Sequence, residues 1–260
     1  MKITRRDFLK WSAALSAAPL LGAGRTEQKT PQATKIPVRD FGSTGYKTTI
    51  VSFGGAIIPH ADPETAFATV RSVFESGVNY IDTASQYGNG ESERRIGFVL
   101  KSRAPDGKLW RDKIWLSTKT LDREYDRSRR EILGSLRRLD VDYVDTIQIH
   151  AVNQEEDYRK IFGGNGSLKA AIEAKEQRYA KHIGITGHRV PQLLLNAFKE
   201  YPFDSVLIPL GAPDKHLADF TPVLEEANRR KMAVIGMKIF TAGTAVGRLD
   251  LEKCLRYSMG

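Results

Sequence analysis

The sequence predicts a parallel (β/α)8 barrel of the TIM type, with about seven βα units present and the eighth strand missing. Apolar, β-branched runs of strand length alternate with amphipathic helical patterns, and the strand centres recur at the spacing of a βα unit, about thirty residues. No early strand is followed by the Gly-x-Gly-x-x-Gly turn of a doubly wound dinucleotide fold. The composition, 41% hydrophobic and 27% charged over 260 residues, is that of a globular chain able to bury a sizeable core.

The first strand is read in "TIVSFGG" (49–55), followed by the helical pattern "PETAFATVRSVFESG". "VNYIDTA" (78–84) leads through a glycine-lined loop to "ESERRIGFVLKSR", and "KIWLSTK" (113–119) leads to "DREYDRSRREILGSLRRL". "DYVDTIQIH" (142–150) is the fourth strand. The stretch "AVNQEEDYRKIFGGNGS" behind it reads as a variable loop, before the helix "SLKAAIEAKEQR". "KHIGITG" (181–187), "DSVLIPL" (204–210) and "MAVIGMK" (232–238) complete the strands, with "VPQLLLNAFKEYP" and "FTPVLEEANRRK" as the helices between them.

Residues 1–30 are a different kind of sequence. Arg5 and Arg6 stand before a moderately apolar run from Trp11 to Gly24 that is too short and weak for a comfortable membrane span. This is the pattern of a twin-arginine signal peptide and linker, which leaves residues 35–260 as the barrel domain. Its partner is the twin-arginine export machinery. The location it implies is the periplasm, with the chain tethered to the membrane where the signal is not cleaved and no stable span after processing. That route carries folded proteins, which suits an enzyme that must acquire a nucleotide in the cytoplasm.

The formal charge is +9, of which the signal segment contributes about three units. The remaining bases are scattered, and the densest cluster, "DREYDRSRREILGSLRRLD", interleaves acids with bases as a solvated helix face does. Nucleic acid is therefore not an expected partner. Cys254 stands alone, which excludes an internal disulfide framework and any CxxC motif, and His60, His182 and His216 have no metal-ligand spacing.

In such a barrel the chemistry belongs at the carboxyl ends of the strands. The second strand ends with Asp82 and its loop presents Tyr87; the third ends with Lys119 and the fourth with His150. Singly, each has a bland reading: a helix cap, a packing aromatic, a snorkelling amine, a core histidine. Together they place an acid, a phenol, an amine and an imidazole at one mouth. A free phenol is a poor acid, with a pKa near 10; a neighbouring ammonium lowers it, and a carboxylate holds the ammonium charged. The set suits carbonyl reduction, with Tyr87 delivering the proton and His150 orienting or polarising the carbonyl oxygen.

"IDTASQYGNGESERRIG", "LSTK" and "IQIH" resemble the signature, lysine strand and histidine strand of the aldo-keto reductase superfamily. "PVRDFGSTGYKTTIVSFGG" is similar to its amino-terminal hairpin and first strand, so the resemblance runs from about Val38 to the end of the chain. It implies a catalytic tetrad of Asp82, Tyr87, Lys119 and His150, a small carbonyl substrate, and NADPH, or NAD, extended across the mouth without a Rossmann domain. The cofactor contacts it implies are Gly54, Gly55, Asp82, Thr186, Gly187, His188, Leu207, Leu210 and Lys238; no metal is implied. Two stretches depart from the family pattern. "GITGHR" places Thr186, Gly187 and His188 where many members have Ser-Asn for the carboxamide, and Leu207 and Leu210 stand where Gln and a stacking Tyr are usual. Leucine offers the nicotinamide neither a hydrogen bond nor π-stacking.

An eighth strand is due about thirty residues after the seventh, beyond Gly260, and "LDLEKCLRYSMG" reads as the helix leading into it. Either the sequence is a piece of a longer protein or the barrel closes by other means, such as association; the first is the expectation. Three functions stay open: an exported carbonyl reductase, a non-catalytic barrel that binds nucleotide, and a sugar isomerase or lyase reusing the acid-base set. Tyr87 beside Lys119 favours the first. Replacing Arg5 and Arg6 together by Lys should retain the protein in the cytoplasm when cell fractions are compared, and unchanged export would reject the twin-arginine reading.

Overall fold

A parallel strand covered on both faces needs a partner for every side chain, and these strands send alternate residues into two different layers. The chain divides into two units, Met1–Thr34 and Lys35–Gly260. The structure, a computed structural model, describes residues 35–211, 218–240 and 247–259. The signal segment, 1–30, and His216 lie outside the described residues.

An antiparallel hairpin comes first, β1 (Val38–Asp40) with β2 (Lys47–Thr49). Seven strands follow: β3 (Phe53–Gly54), β4 (Tyr80–Asp82), β5 (Trp115–Thr120), β6 (Val144–Ile149), β7 (Ala180–Thr186), β8 (Ser205–Pro209) and β9 (Ala233–Met237). Each pairs in parallel with the next, in chain order from β3 to β9. An order without reversal belongs to a (β/α) barrel rather than to a doubly wound sheet. Among the described residues no eighth strand joins β9 to β3. The connecting helices are α1 (Pro63–Glu75), α2 (Glu91–Leu100), α3 (Tyr125–Leu139), α4 (Glu155–Phe162), α5 (Ser167–Glu176), α6 (Pro191–Glu200) and α7 (Thr221–Arg229), and α8 (Leu251–Met259) follows β9.

Two expectations need correction. The first strand is not continuous over 49–55: Thr49 belongs to the hairpin, where its N–H donates to Asn79 Oδ1 (2.8 Å) and its hydroxyl to the Val51 carbonyl (2.7 Å). That capped turn leaves only Phe53 and Gly54 to pair with β4. The stretch after His150 is also not all loop, because it contains α4. Glu155, Glu156 and Asp157 occupy the first turn of α4 and Arg159 and Lys160 the last, the arrangement favoured by the helix dipole, and Lys160 pairs with Glu156 at 2.7 Å.

Outward-facing Ile81, Leu116, Ile147, Ile149, Ile183, Ile185, Val206 and Ile208 pack under the helices as the main core. Inward-facing Tyr80, Trp115, Leu207, Ala233 and Ile235 form a second cluster, and the hairpin adds Phe41 to it. Phe41 meets Trp115 edge-on at 5.1 Å, in the geometry aromatic quadrupoles prefer. The hairpin thus packs over the amino-terminal ends of the strands, and Asp82, Lys119 and His150 lie toward the opposite ends. Between α2 and α3, buried Glu93 accepts from Arg138 (2.6 Å) and from Thr118 on β5 (2.6 Å), which pins the strand that carries Lys119.

Ile147→Ala, in the middle of β6, should lower unfolding free energy by about 2–5 kcal/mol through lost burial and a residual cavity. Urea denaturation measures this, and an unchanged midpoint would contradict the outer layer as the main stabilising core.

Candidate active site

Period-two alternation carries Asp82, Lys119 and His150 to one end of the inner face, because Asp82 ends β4, Lys119 is the penultimate residue of β5 and His150 follows β6. Lys119 is only 1% exposed. An ammonium has three donors, and here they reach the Asp82 carboxylate, the Thr83 carbonyl (2.8 Å) and the Tyr87 hydroxyl (3.2 Å). The other Asp82 oxygen accepts from Gln148 Nε2 at 2.7 Å, and the same amide donates to Ser117 Oγ at 2.7 Å. The pair is therefore buried with its remaining polar atoms matched, the condition under which a buried ion pair is tolerated.

Tyr87 sits in the turn between β4 and α2. Gly88 follows with φ +60°, and a Cβ there would stand 2.3 Å from Pro59, so the bend that turns the phenol toward Lys119 requires glycine. Lys119 Nζ lies 4.8 Å from the Tyr87 ring centroid, and the His150 ring meets that ring edge-on at 6.2 Å.

The electrostatics correct one expectation. Burial is the strongest influence on Tyr87 and raises its pKa; Lys119 pulls it down and Asp82 pushes it up again, so the phenol ends above its ordinary value. It is a protonated acid at neutral pH, not a partial phenolate. For Lys119, burial works against the charge, but Asp82 and Tyr87 outweigh it and the ammonium is held above the usual lysine value. His150 is depressed to about 3 by burial and then by Lys119, His188 and Arg123. His188 is depressed to about 4 by burial and then by Lys238, Lys119 and Arg189. Both imidazoles are neutral at pH 7.

A family model described as the aldo/keto reductase family matches residues 51–252. The chain belongs to that family. A second model, the twin-arginine translocation pathway signal sequence, matches residues 2–22. L-galactose dehydrogenase from Arabidopsis thaliana is 30% identical over 217 residues, covering 74% of this chain and 62% of that protein. Among solved structures, the holo form of an aldo-keto reductase from Bacillus halodurans superposes with TM-score 0.65 at 22% identity, covering 80% of this chain and 68% of the other. An aldo-keto reductase from Klebsiella pneumoniae in complex with NADPH gives TM-score 0.60 at 17% identity, covering 78% and 67%. No helix among the described residues is long and apolar enough to cross a membrane.

The other residues read as cofactor contacts divide by place. Gly54 pairs with Asp82 and has open space where a Cβ would be, whereas Gly55 is needed for packing, since a Cβ there would meet Ser92 Oγ at 2.7 Å and Ile96 at 2.9 Å. Thr186 is buried, its hydroxyl accepting the Ala151 N–H at 2.8 Å, and Gly187 packs against Leu194. His188 is half-buried, its N–H held by Asn153 Oδ1 at 2.8 Å and its ring 6.3 Å from that of His150. Leu207, 5% exposed, belongs to the inner apolar cluster. Leu210 follows β8 and packs with the outer core, so it is not brought to the mouth with the others. Lys238, exposed and with φ +60°, follows β9. His182 stacks on Trp115 at 5.1 Å and pairs with Asp204, a structural role.

Three residues escaped the sequence reading. Alternation in "IQIH" places Gln148 inward beside His150, which was a usable signal; Gln86 and Glu131 carry none. Gln86 bonds His150 Nδ1 at 3.0 Å and donates to Glu131. It also borders an open cleft of about 680 Å³ lined largely by charged side chains, among them Arg123, Glu124, Arg127, Asp157 and Lys160.

His150 has a folded pKa below the unfolded value of 6.5, so the stability it supplies is complete above pH 6.5 and is lost as pH falls toward about 3. Urea midpoints between pH 7 and 4 should fall less steeply for His150→Gln than for the native chain, and identical slopes would refute a buried neutral imidazole.

Proposed function

We propose that this aldo/keto reductase is an exported oxidoreductase that reduces the carbonyl of a small aldehyde or ketone with NADPH, NAD being the alternative nucleotide. The observation that carries the reading is the contiguous set Asp82, Lys119 and Tyr87, with one buried ammonium donating to both the carboxylate and the phenol. Residues 1–30 act as signal and linker and residues 35–260 as the barrel domain. The match of residues 2–22 to a twin-arginine signal supports delivery of a folded chain to the periplasm by that machinery. The chain covers 62% of the plant relative's length, so the reading concerns the part in hand.

The mouth suits the nucleotide. Burial is the main cause of the depression of the His188 imidazole and Lys238, Lys119 and Arg189 add to it; these cations are complementary to an anionic pyrophosphate. Lys238 and Arg189 would hold the phosphates, with Gly54 and His188 beside the ring; the leucine at 207 offers it only apolar contact. The chemistry a nucleotide held there would supply is a hydride for the carbonyl carbon.

The chain's own residues handle the proton. Burial keeps Tyr87 protonated until a carbonyl oxygen gains charge, and its hydroxyl then donates. The phenolate left behind faces the Lys119 ammonium, an interaction stronger after transfer than before, which is what accelerates a step. Asp82 keeps Lys119 charged and, through Gln148, is itself held in place. His150 packs against the phenol and shapes the oxygen's site.

The charged cleft beside Gln86 favours a polyhydroxylated carbonyl compound, and the name of the plant relative, a sugar dehydrogenase, agrees with that class.

Tyr87→Phe removes the acid and little volume. NADPH fluorescence titration of the full chain should show saturable binding for both proteins, while aldehyde-dependent NADPH oxidation should fall by about 10²–10⁴-fold in the variant. Retained turnover would sink the proton-donor assignment.

A further inference from the structure

We propose that Glu131, acting through Gln86, fixes His150 as the tautomer protonated on Nδ1, leaving Nε2 as a hydrogen-bond acceptor. The outermost groups of this hydrogen-bond chain can act in one sense only. The backbone N–H groups of Leu121 and Asp122 can only donate, and both donate to Glu131 Oε2, at 2.8 and 3.1 Å. Thr120 Oγ1 lies 2.6 Å from the same oxygen. Glu131 therefore sits in α3 as an acceptor, with Oε1 turned to Ser85 and Gln86.

A side-chain amide has one accepting and one donating end, and only the donating end can face a carboxylate. Gln86 Nε2 donates to Glu131 and to Ser85 Oγ, whose own hydrogen goes to Glu131. Turning the amide over would set an oxygen against the carboxylate. Gln86 Oε1 is thus committed to the other side, where it stands 3.0 Å from His150 Nδ1. An acceptor there demands a donor, so Nδ1 carries the hydrogen. The ring is neutral, and the tautomer is settled.

The consequence rests on the reductase reading: Nε2 of His150 cannot donate to a carbonyl oxygen, so Tyr87 is the sole side-chain acid of the Asp82, Tyr87, Lys119 and His150 set. His150 instead offers a lone pair, which selects for a hydroxyl on the substrate or, in the oxidation direction, for the reacting alcohol. Gln86 and Glu131 are positioning residues in this scheme.

The tautomer can be read without turnover, which separates this inference from the reductase reading. Full-length protein labelled with 15N-histidine gives long-range nitrogen–proton correlations at pH 7, and a His150→Gln sample identifies the resonance. The native protein should show a protonated-type Nδ1 and an unprotonated-type Nε2. In Glu131→Gln the N–H groups of Leu121 and Asp122 still require oxygen at their end, so the new NH2 falls on the Gln86 side. Gln86 must then turn over and present its own NH2 to His150, and the pattern should invert to Nε2–H. In Gln86→Met, which keeps the volume, the two tautomers should mix. Loss of a hydrogen bond that merely supports the fold would not invert the tautomer. An Nε2–H native spectrum, or a native pattern unchanged in both variants, would overturn the proposal.

Discussion

A single ammonium, buried at Lys119, dictates what must surround it. A charge taken out of water is tolerated only where a counter-charge and hydrogen-bond partners replace the lost solvent. Asp82, the Thr83 carbonyl and Tyr87 are those partners. Asp82 is held by Gln148 and Tyr87 by the bend at Gly88, while β5, which carries Lys119, is held by the contact of Thr118 with buried Glu93. The polar residues of three strands are thereby bound into one unit at the mouth.

Burial then drives the neighbouring groups apart in acidity. The phenol of Tyr87 is raised and the imidazoles of His150 and His188 are lowered, so at neutral pH the mouth holds a protonated acid, a fixed cation and two neutral rings. Separation of neighbouring groups by environment is the general means by which a site assigns acid and acceptor roles. The same burial surrounds the Lys119 ammonium, which keeps its charge because Asp82 and Tyr87 face it. Farther out, Lys238 and Arg189 stand near His188, and a charged cleft borders Gln86.

Most of the architecture was legible because it depends on periodicity. Alternating β-branched residues in "KIWLSTK" and "DYVDTIQIH" are enough to place Lys119 and His150 at strand ends, and the missing Gly-x-Gly-x-x-Gly turn is enough to prefer the barrel. The misreadings have local causes. Thr49 is held in the hairpin by its N–H donating to the side chain of Asn79, thirty residues away in the chain, and the charge pattern that makes α4 a helix resembles a solvated loop.

By itself, then, the sequence determined that Asp82, Lys119 and His150 stand toward the ends of neighbouring strands, with Tyr87 in the loop between: strand period, loop glycines and strand ends are properties of neighbours in the chain. Only the tertiary structure decided the state of those residues. Whether a phenol rises or falls in pKa depends on how much water its surroundings exclude, and which ring nitrogen of His150 bears a hydrogen depends on Gln86 and Glu131, which approach from other elements. Desolvation and hydrogen-bond polarity are set by atoms far apart in sequence, and no spacing between letters records them.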